Sequence, residues 1–201
     1  MADVRAQLSA AGRAMVGAGL VIGSGGNLSA RVGEACWVTA AGTRLDELDA
    51  SSYSLVRVAD GAVLDGHEVP SSEVALHLHS YRARPDAGAL VHLHPQTSVL
   101  LDALDESITL VTTDHAFYVR RVVSVPFHPP GSVDLAVAAA RAVADGTNCV
   151  ILRHHGCSVL GPDVDLAHKR AVNLEEAARA TYAALLLRRT PPACPAVPEA
   201  P

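Results

Sequence analysis

Aromatic residues are scarce in this chain: Phe, Trp and Tyr together make up 3% of 201 residues. A core must then be packed mainly with Ala, Val and Leu, and a hydrophobic share of 49% is enough to fill one domain. No two cysteines have CxxC spacing; Cys36, Cys149, Cys157 and Cys194 stand apart. No disulfide framework is expected, and Cys149, inside an apolar run, reads as a small buried hydrophobe. Long basic runs are missing and the net charge is −5, which argues against a nucleic-acid partner. A local basic pocket for a phosphate stays open. No apolar run reaches the length of a membrane span. The opening Met1-Ala2-Asp3-Val4-Arg5 lacks the charged-then-apolar layout of a secretion signal, so a cytoplasmic location is the expectation. No internal repeat is visible.

What is present is histidine: ten of them, several beside apolar runs. Ala89-Leu90-Val91-His92-Leu93-His94-Pro95 and Cys149-Val150-Ile151-Leu152-Arg153-His154-His155-Gly156 read as buried strands bounded by turn residues. Residues i and i+2 of a strand point the same way. His92 and His94 can therefore aim two imidazoles at one point, and His155 would complete a three-histidine set. Three neutral nitrogens with an open position describe a catalytic divalent-metal site, zinc first. The alternative is hydrogen-bonded histidines at strand ends.

The remaining pattern predicts helices over about 4–19, from Pro70-Ser71-Ser72 past Tyr81, near 96–104, over 132–144 and over about 164–188. Predicted strands cover 28–32 and 35–39, turning at Gly33-Glu34, then 54–58 and 62–64, turning at Asp60-Gly61. Further strands are expected at 89–93, 108–111, 117–125 and 149–153. Mid-chain strands with helices at both ends and between them predict a three-layer α/β/α domain on a mixed, mainly antiparallel sheet. The domain is expected over 1–188, followed by a Pro-rich, mobile tail over 189–201.

His77-Leu78-His79 repeats the HxH spelling, but on a helix these side chains lie about 200° apart and cannot share an ion. Glu73 sits at a helix start, either as acid/base or fourth ligand, or as a partner of the helix dipole. Ser71 and Ser72 either cap that helix or, with its free N–H groups, bind an anion. Gly25-Gly26-Asn27 and Thr39-Ala40-Ala41-Gly42-Thr43 could add further walls.

Taken together, these pieces resemble the class II aldolase/adducin family, in particular its L-fuculose-phosphate aldolase branch. The resemblance rests on Gly26-Asn27-Leu28-Ser29-Ala30-Arg31, Thr39-Ala40-Ala41-Gly42, Ser71-Ser72-Glu73, His92-Leu93-His94-Pro95 and His154-His155-Gly156 with Gly161, in that order and spacing. It implies Zn²⁺ held by His92, His94 and His155, with Glu73 near or on the metal. It implies a phosphate cradle of Asn27, Thr39, Gly42, Ser71 and Ser72. The implied reaction is reversible cleavage of a ketose 1-phosphate to dihydroxyacetone phosphate and an aldehyde. Glu73 would then carry the proton at the nucleophilic carbon, which requires its pKa to rise off the metal. The resemblance also implies a homo-oligomer, commonly a tetramer with the site at a subunit interface.

Three departures stand out. The family's Thr-Pro-Ser-Gly is Thr39-Ala40-Ala41-Gly42, one hydroxyl short. The residue before the ligand His, usually Asn or Gly, is His154. The Tyr expected to protonate the aldehyde oxygen falls near Thr113, leaving His115 or Tyr118 as candidate donors. Sister enzymes of the family epimerise ribulose phosphates, dehydrate methylthioribulose phosphate or decarboxylate keto-acid phosphates. An adducin-like interaction domain without metal is the non-enzymatic alternative.

Overall fold

The computed structural model describes residues 3–195. Asp3 caps the first helix, α1 (Val4–Gly17), its carboxylate accepting from the Arg5 N–H. Two hairpins follow: β1 (Asn27–Val32) with β2 (Ala35–Thr39), and β3 (Tyr53–Arg57) with β4 (Val63–Gly66). Next come α2 (Val74–Ala83), β5 (Ala89–Leu93), α3 (Gln96–Ala103), β6 (Val122–Val125) and α4 (Val133–Val143). The hairpin β7 (Cys149–Leu152) and β8 (Gly156–Gly161) precedes the long α5 (Val164–Leu186).

Among the described residues the strands form one open sheet in the order β4-β3-β2-β1-β5-β8-β7-β6. Every pairing is antiparallel except β6 with β7. Alternation sorts the apolar side chains onto two faces. Leu28, Val91, Leu93, Ile151 and Val159 pack with Leu8 and Met15 of α1 and Leu174 of α5. Val38, Leu90, Val150 and Leu160 pack with Leu76 and Tyr81 of α2 and Leu135 and Val143 of α4. This is the three-layer α/β/α arrangement that the sequence predicts.

Three local readings need correction. Residues 108–111 form no strand. They run along α5, where the Thr109 N–H donates to Thr181 Oγ1 and the Leu110 carbonyl accepts from Cys194, so side chain and tail replace a sheet partner. The stretch 117–125 is broken: His115–Val119 make a π-helical turn, Arg120 takes φ 59°, and only 122–125 extend. The run Gly156–Gly161, not assigned from sequence, is a strand buried along its whole length. Its flanking glycines disguise it as loop. Of the predicted tail, residues 196–201 lie outside the described residues.

Candidate metal centre

The centre sits where β5 ends. His92 lies on that strand, directly opposite Asn27 of β1 and Ser158 of β8. His94 follows one residue past the strand end, on the same side. His155 sits in the β7–β8 turn, closed by the His155 N–H donating to the Leu152 carbonyl at 2.9 Å. Glu73 is the residue immediately before α2. One ligand atom from each of Glu73, His92, His94 and His155 lies within 4.8 Å of the others. Two glycines permit the convergence. A Cβ on Gly26, at φ 73°, would sit 2.7 Å from the His92 carbonyl oxygen. One on Gly156 would collide with the Leu93 carbonyl and the His94 ring.

The hydrogen bonds reveal the protonation pattern. His92 Nδ1 is 2.9 Å from the Cys157 carbonyl, so that nitrogen carries the proton and Nε2 is a bare lone pair. That lone pair faces Glu73 Oε2 at 2.8 Å and His94 Nε2 at 3.0 Å. Glu73 Oε1, 3.5 Å from His155 Nε2, has no hydrogen bond, and neither does His155 Nδ1, although both atoms are buried. Two lone pairs, on His92 Nε2 and Glu73 Oε2, face each other 2.8 Å apart in a buried site, which calls for a cation between them. Three imidazoles and one carboxylate are a donor set that suits zinc among the divalent ions, so the residues fit the implied metal.

The titration directions agree. Burial, with His92 and His155 nearby, lowers His94 to about 4, so its ring is neutral near pH 7. Burial and His92 likewise lower His155. Burial by itself raises Glu73, but contact with the His92 and His155 rings and the Asn27 amide outweighs it and holds the carboxyl well below its usual range. The upward shift expected of a resting general acid is not present in this geometry.

The residues expected to bind an anion also lie at this edge, though their side chains are not all free. The Ser71 N–H donates to the Thr39 carbonyl, and Ala40 bridges to Pro70, tying 39–42 to the start of α2. Thr39 Oγ1 accepts from the Leu28 N–H, and Ser71 Oγ accepts from the Glu73 N–H. The Asn27 amide donates to Glu73 Oε2 and accepts from His77. Ser72 and Gly42 (φ 75°) are exposed, the first with its hydroxyl unengaged.

His115 and Tyr118 are not drawn into the cluster. His115 is buried in the π-helical turn with Nδ1 unpartnered, and its charged neighbours are Glu176 of α5 and Asp114. The Tyr118 ring packs edge-on against Phe117, with centroids 5.0 Å apart. His77 is fully buried but is not one of the four, and neither is His79, as helical spacing predicts. Sequence reasoning passed over His77, Tyr81 and Ser29, which support the centre. The signal for them was Glu73-His77-Tyr81 at every fourth position, one face of a helix.

Residues 6–182 match the class II aldolase and adducin N-terminal domain family. The L-fuculose phosphate aldolase of Methanocaldococcus jannaschii is 33% identical over 169 residues, covering 84% of this chain and 90% of that protein. The 3-oxo-tetronate 4-phosphate decarboxylase of Haemophilus influenzae is 30% identical over 174 residues, covering 84% of this chain and 81% of that one. A solved L-fuculose 1-phosphate aldolase superposes with a TM-score of 0.87 at 27% identity, covering 97% of this chain and 92% of the other. With its sheet order, its Glu-His₃ cluster and this match along nearly its whole length, the chain belongs to the class II aldolase/adducin family.

Proposed function

We propose that this chain is a zinc-dependent aldolase, cleaving a ketose 1-phosphate of the L-fuculose 1-phosphate kind reversibly to dihydroxyacetone phosphate and an aldehyde. One observation carries the reading. The Glu73-His92-His94-His155 cluster adjoins an edge where the exposed Ser72 hydroxyl stands beside the start of α2. A metal ligand set next to a helix N-terminus suits a substrate with a carbonyl at one end and a phosphate at the other.

A divalent ion in the cluster would supply charge that polarises the carbonyl and offsets the charge left when the C–C bond breaks. His92, His94 and His155 would hold it, with Glu73 on it or beside it. Glu73, ionised in this geometry, would carry the proton at the nucleophilic carbon. Ser71 shapes the turn that delivers Glu73, through its hydroxyl and the Glu73 N–H. Ser72, Gly42 and the backbone along Asn27 and Thr39 would anchor the phosphate. The proton for the aldehyde oxygen is assigned to His115 or Tyr118. Neither touches the four, so the proposal places this transfer across a subunit contact in a homotetramer. The catalytic domain is taken as 1–188 with 189–201 as a tail, acting in the cytoplasm.

A decarboxylase reading has support of its own in the Haemophilus influenzae relative. It keeps the same cluster and anion edge, since loss of CO₂ beside a carbonyl leaves the same kind of charge. The test is a screen of zinc-loaded protein against ketose 1-phosphates and keto-acid phosphates. Dihydroxyacetone phosphate release supports the aldolase, and CO₂ release from a keto-acid phosphate alone overturns it.

A further inference from the structure

Glu73, His77 and Tyr81 recur every fourth residue, so they line one face of the α2 end and hang over β1. Beneath them are Asn27 and Ser29, two apart on β1 and therefore on one face of the sheet. These five polar side chains are buried, with His77, Tyr81 and Ser29 at 0% exposure. They form one unbranched chain of hydrogen bonds. Asn27 Nδ2 donates to Glu73 Oε2 at 3.2 Å, and His77 Nε2 is 2.5 Å from Asn27 Oδ1. Ser29 Oγ is 2.6 Å from His77 Nδ1 and 2.7 Å from the Tyr81 hydroxyl.

The direction of every bond follows from the geometry at one end. Asn27 Nδ2 is the atom that meets Glu73 Oε2, so the amide presents its NH₂ to the carboxylate. Asn27 Oδ1 then faces His77, so Nε2 carries the His77 proton and Nδ1 is bare. Ser29 must donate to Nδ1, leaving its lone pair to accept from Tyr81. A ring in the other tautomer would set Oδ1 against a bare nitrogen and strand two buried acceptors. Burial disfavours the doubly protonated ring and lowers His77 to about 3, leaving it neutral near pH 7.

We infer that His77, locked as the Nε2–H tautomer by Ser29 and Tyr81, is a positioning residue: it fixes the Asn27 amide, and Asn27 in turn fixes the Glu73 carboxylate beside the three ligand histidines. The inference rests on the role given to Glu73 in the proposed function. It also reassigns the Asn27 side chain. One N–H and the carbonyl oxygen of that amide are committed, so its orientation is set by Glu73 and His77 and not by the phosphate.

Two measurements stand apart from turnover. In protein labelled with ¹⁵N-histidine, His77 should show a protonated Nε2 and a bare Nδ1 from pH 5 to 8. The opposite tautomer, or a cationic ring, would overturn the inference. Chelator competition should find zinc bound about tenfold more weakly by His77→Leu, since supporting partners of ligands have about that worth or more. His77→Gln keeps a donor toward Asn27 and should recover most of the loss. In the turnover assay, Ser29→Ala should lower kcat about tenfold with KM unchanged. A raised KM at unchanged kcat would return Asn27 to the phosphate and sink the proposal. Zinc affinity and kcat equal to wild type in His77→Leu would do the same. If His77→Leu fails to fold, the tautomer and Ser29→Ala decide. If the wild-type chain cleaves no ketose phosphate, the proposed function fails, while the tautomer and the zinc affinities still decide this inference.

Discussion

His92 donates its Nδ1 proton to the carbonyl of Cys157, 2.9 Å away on the neighbouring strand β8. One backbone oxygen thereby decides which ring nitrogen of His92 is bare, and points that nitrogen at Glu73 and His94. The sheet itself sets the tautomer of the His92 ring.

The first prediction follows from that arrangement. Purified protein should carry close to one divalent ion per chain, zinc first. Single changes of His92, His94 or His155 to Ala should remove most of it, whereas His79→Ala should leave it in place. Elemental analysis of the dialysed variants is the check, and metal lost from His79→Ala but kept in His92→Ala would refute the assignment.

Glu73→Gln keeps size and the helix start but removes the charge. Turnover should fall by roughly 10²–10⁴, the usual worth of a positioned acid/base. Metal content should stay above half, because three histidines remain. If Glu73 only complemented the helix dipole, the melting temperature would drop and kcat would not.

The two adjacent serines should behave differently. Ser72 is exposed and unengaged, so Ser72→Ala should mainly raise KM, as loss of uniform binding does. Ser71 is buried and its hydroxyl accepts from the Glu73 N–H, so Ser71→Ala should lower kcat and stability. Inorganic phosphate and phosphoglycolate should inhibit competitively. Equal turnover of phosphorylated and free sugars would count against the anion site.

His154 holds φ 58° in the β7–β8 turn, the left-handed region that costs most L residues about 1–2 kcal/mol. Asn or Gly would hold this conformation at less cost. His154→Gly should therefore raise the melting temperature by about 1–3 °C, with the stabilisation partly offset by glycine's entropy. Metal content should not change, because His155 and not His154 joins the cluster. A lower melting temperature would show that the His154 ring, edge-on to Phe127 with centroids 6.4 Å apart, contributes more than the strain costs.

Acid should destabilise the fold through His77. Its pKa is near 6.5 in the unfolded chain and about 3 in the folded one. Between those values the unfolded state binds the extra proton, so stability is full above about pH 6.5 and falls as pH drops toward 3. The slope for one such group approaches about 1.4 kcal/mol per pH unit. Urea unfolding of zinc-free protein at pH 7 and pH 5 should show the decline. A variant lacking the ring, such as His77→Gln, should show a shallower one.

Much of the fold was legible because period and punctuation agreed. The β1–β2 and β3–β4 hairpins lie at Gly33-Glu34 and Asp60-Gly61, as alternation and turn residues indicate. Local signals failed where tertiary partners decide. Residues 108–111 have strand-like composition but lie on α5, and 156–161 have loop-like ends but fill the sheet between β5 and β7. Phe117 and Tyr118 favour a strand by propensity, yet the chain winds into a π-helical turn against α5.

The sequence alone was enough to pair His92 with His94. Side chains two apart on a strand share a face whatever surrounds them, so His92 and His94 were committed together; helical spacing set His77 and His79 apart by the same rule. The start of α2 was less local: Pro70-Ser71-Ser72 signals a helix, but the helix begins at Val74 with Glu73 before it and no side-chain cap. Tertiary structure alone decided what each of these groups touches. Whether the Asn27 amide meets a phosphate or Glu73 depends on α2 lying across β1, 46 residues away in the chain. Which nitrogen of His92 is bare depends on β8, 65 residues away. Hydrogen bonds act over about 3 Å and discriminate by angle, so no pattern along the chain encodes them until the strands are paired.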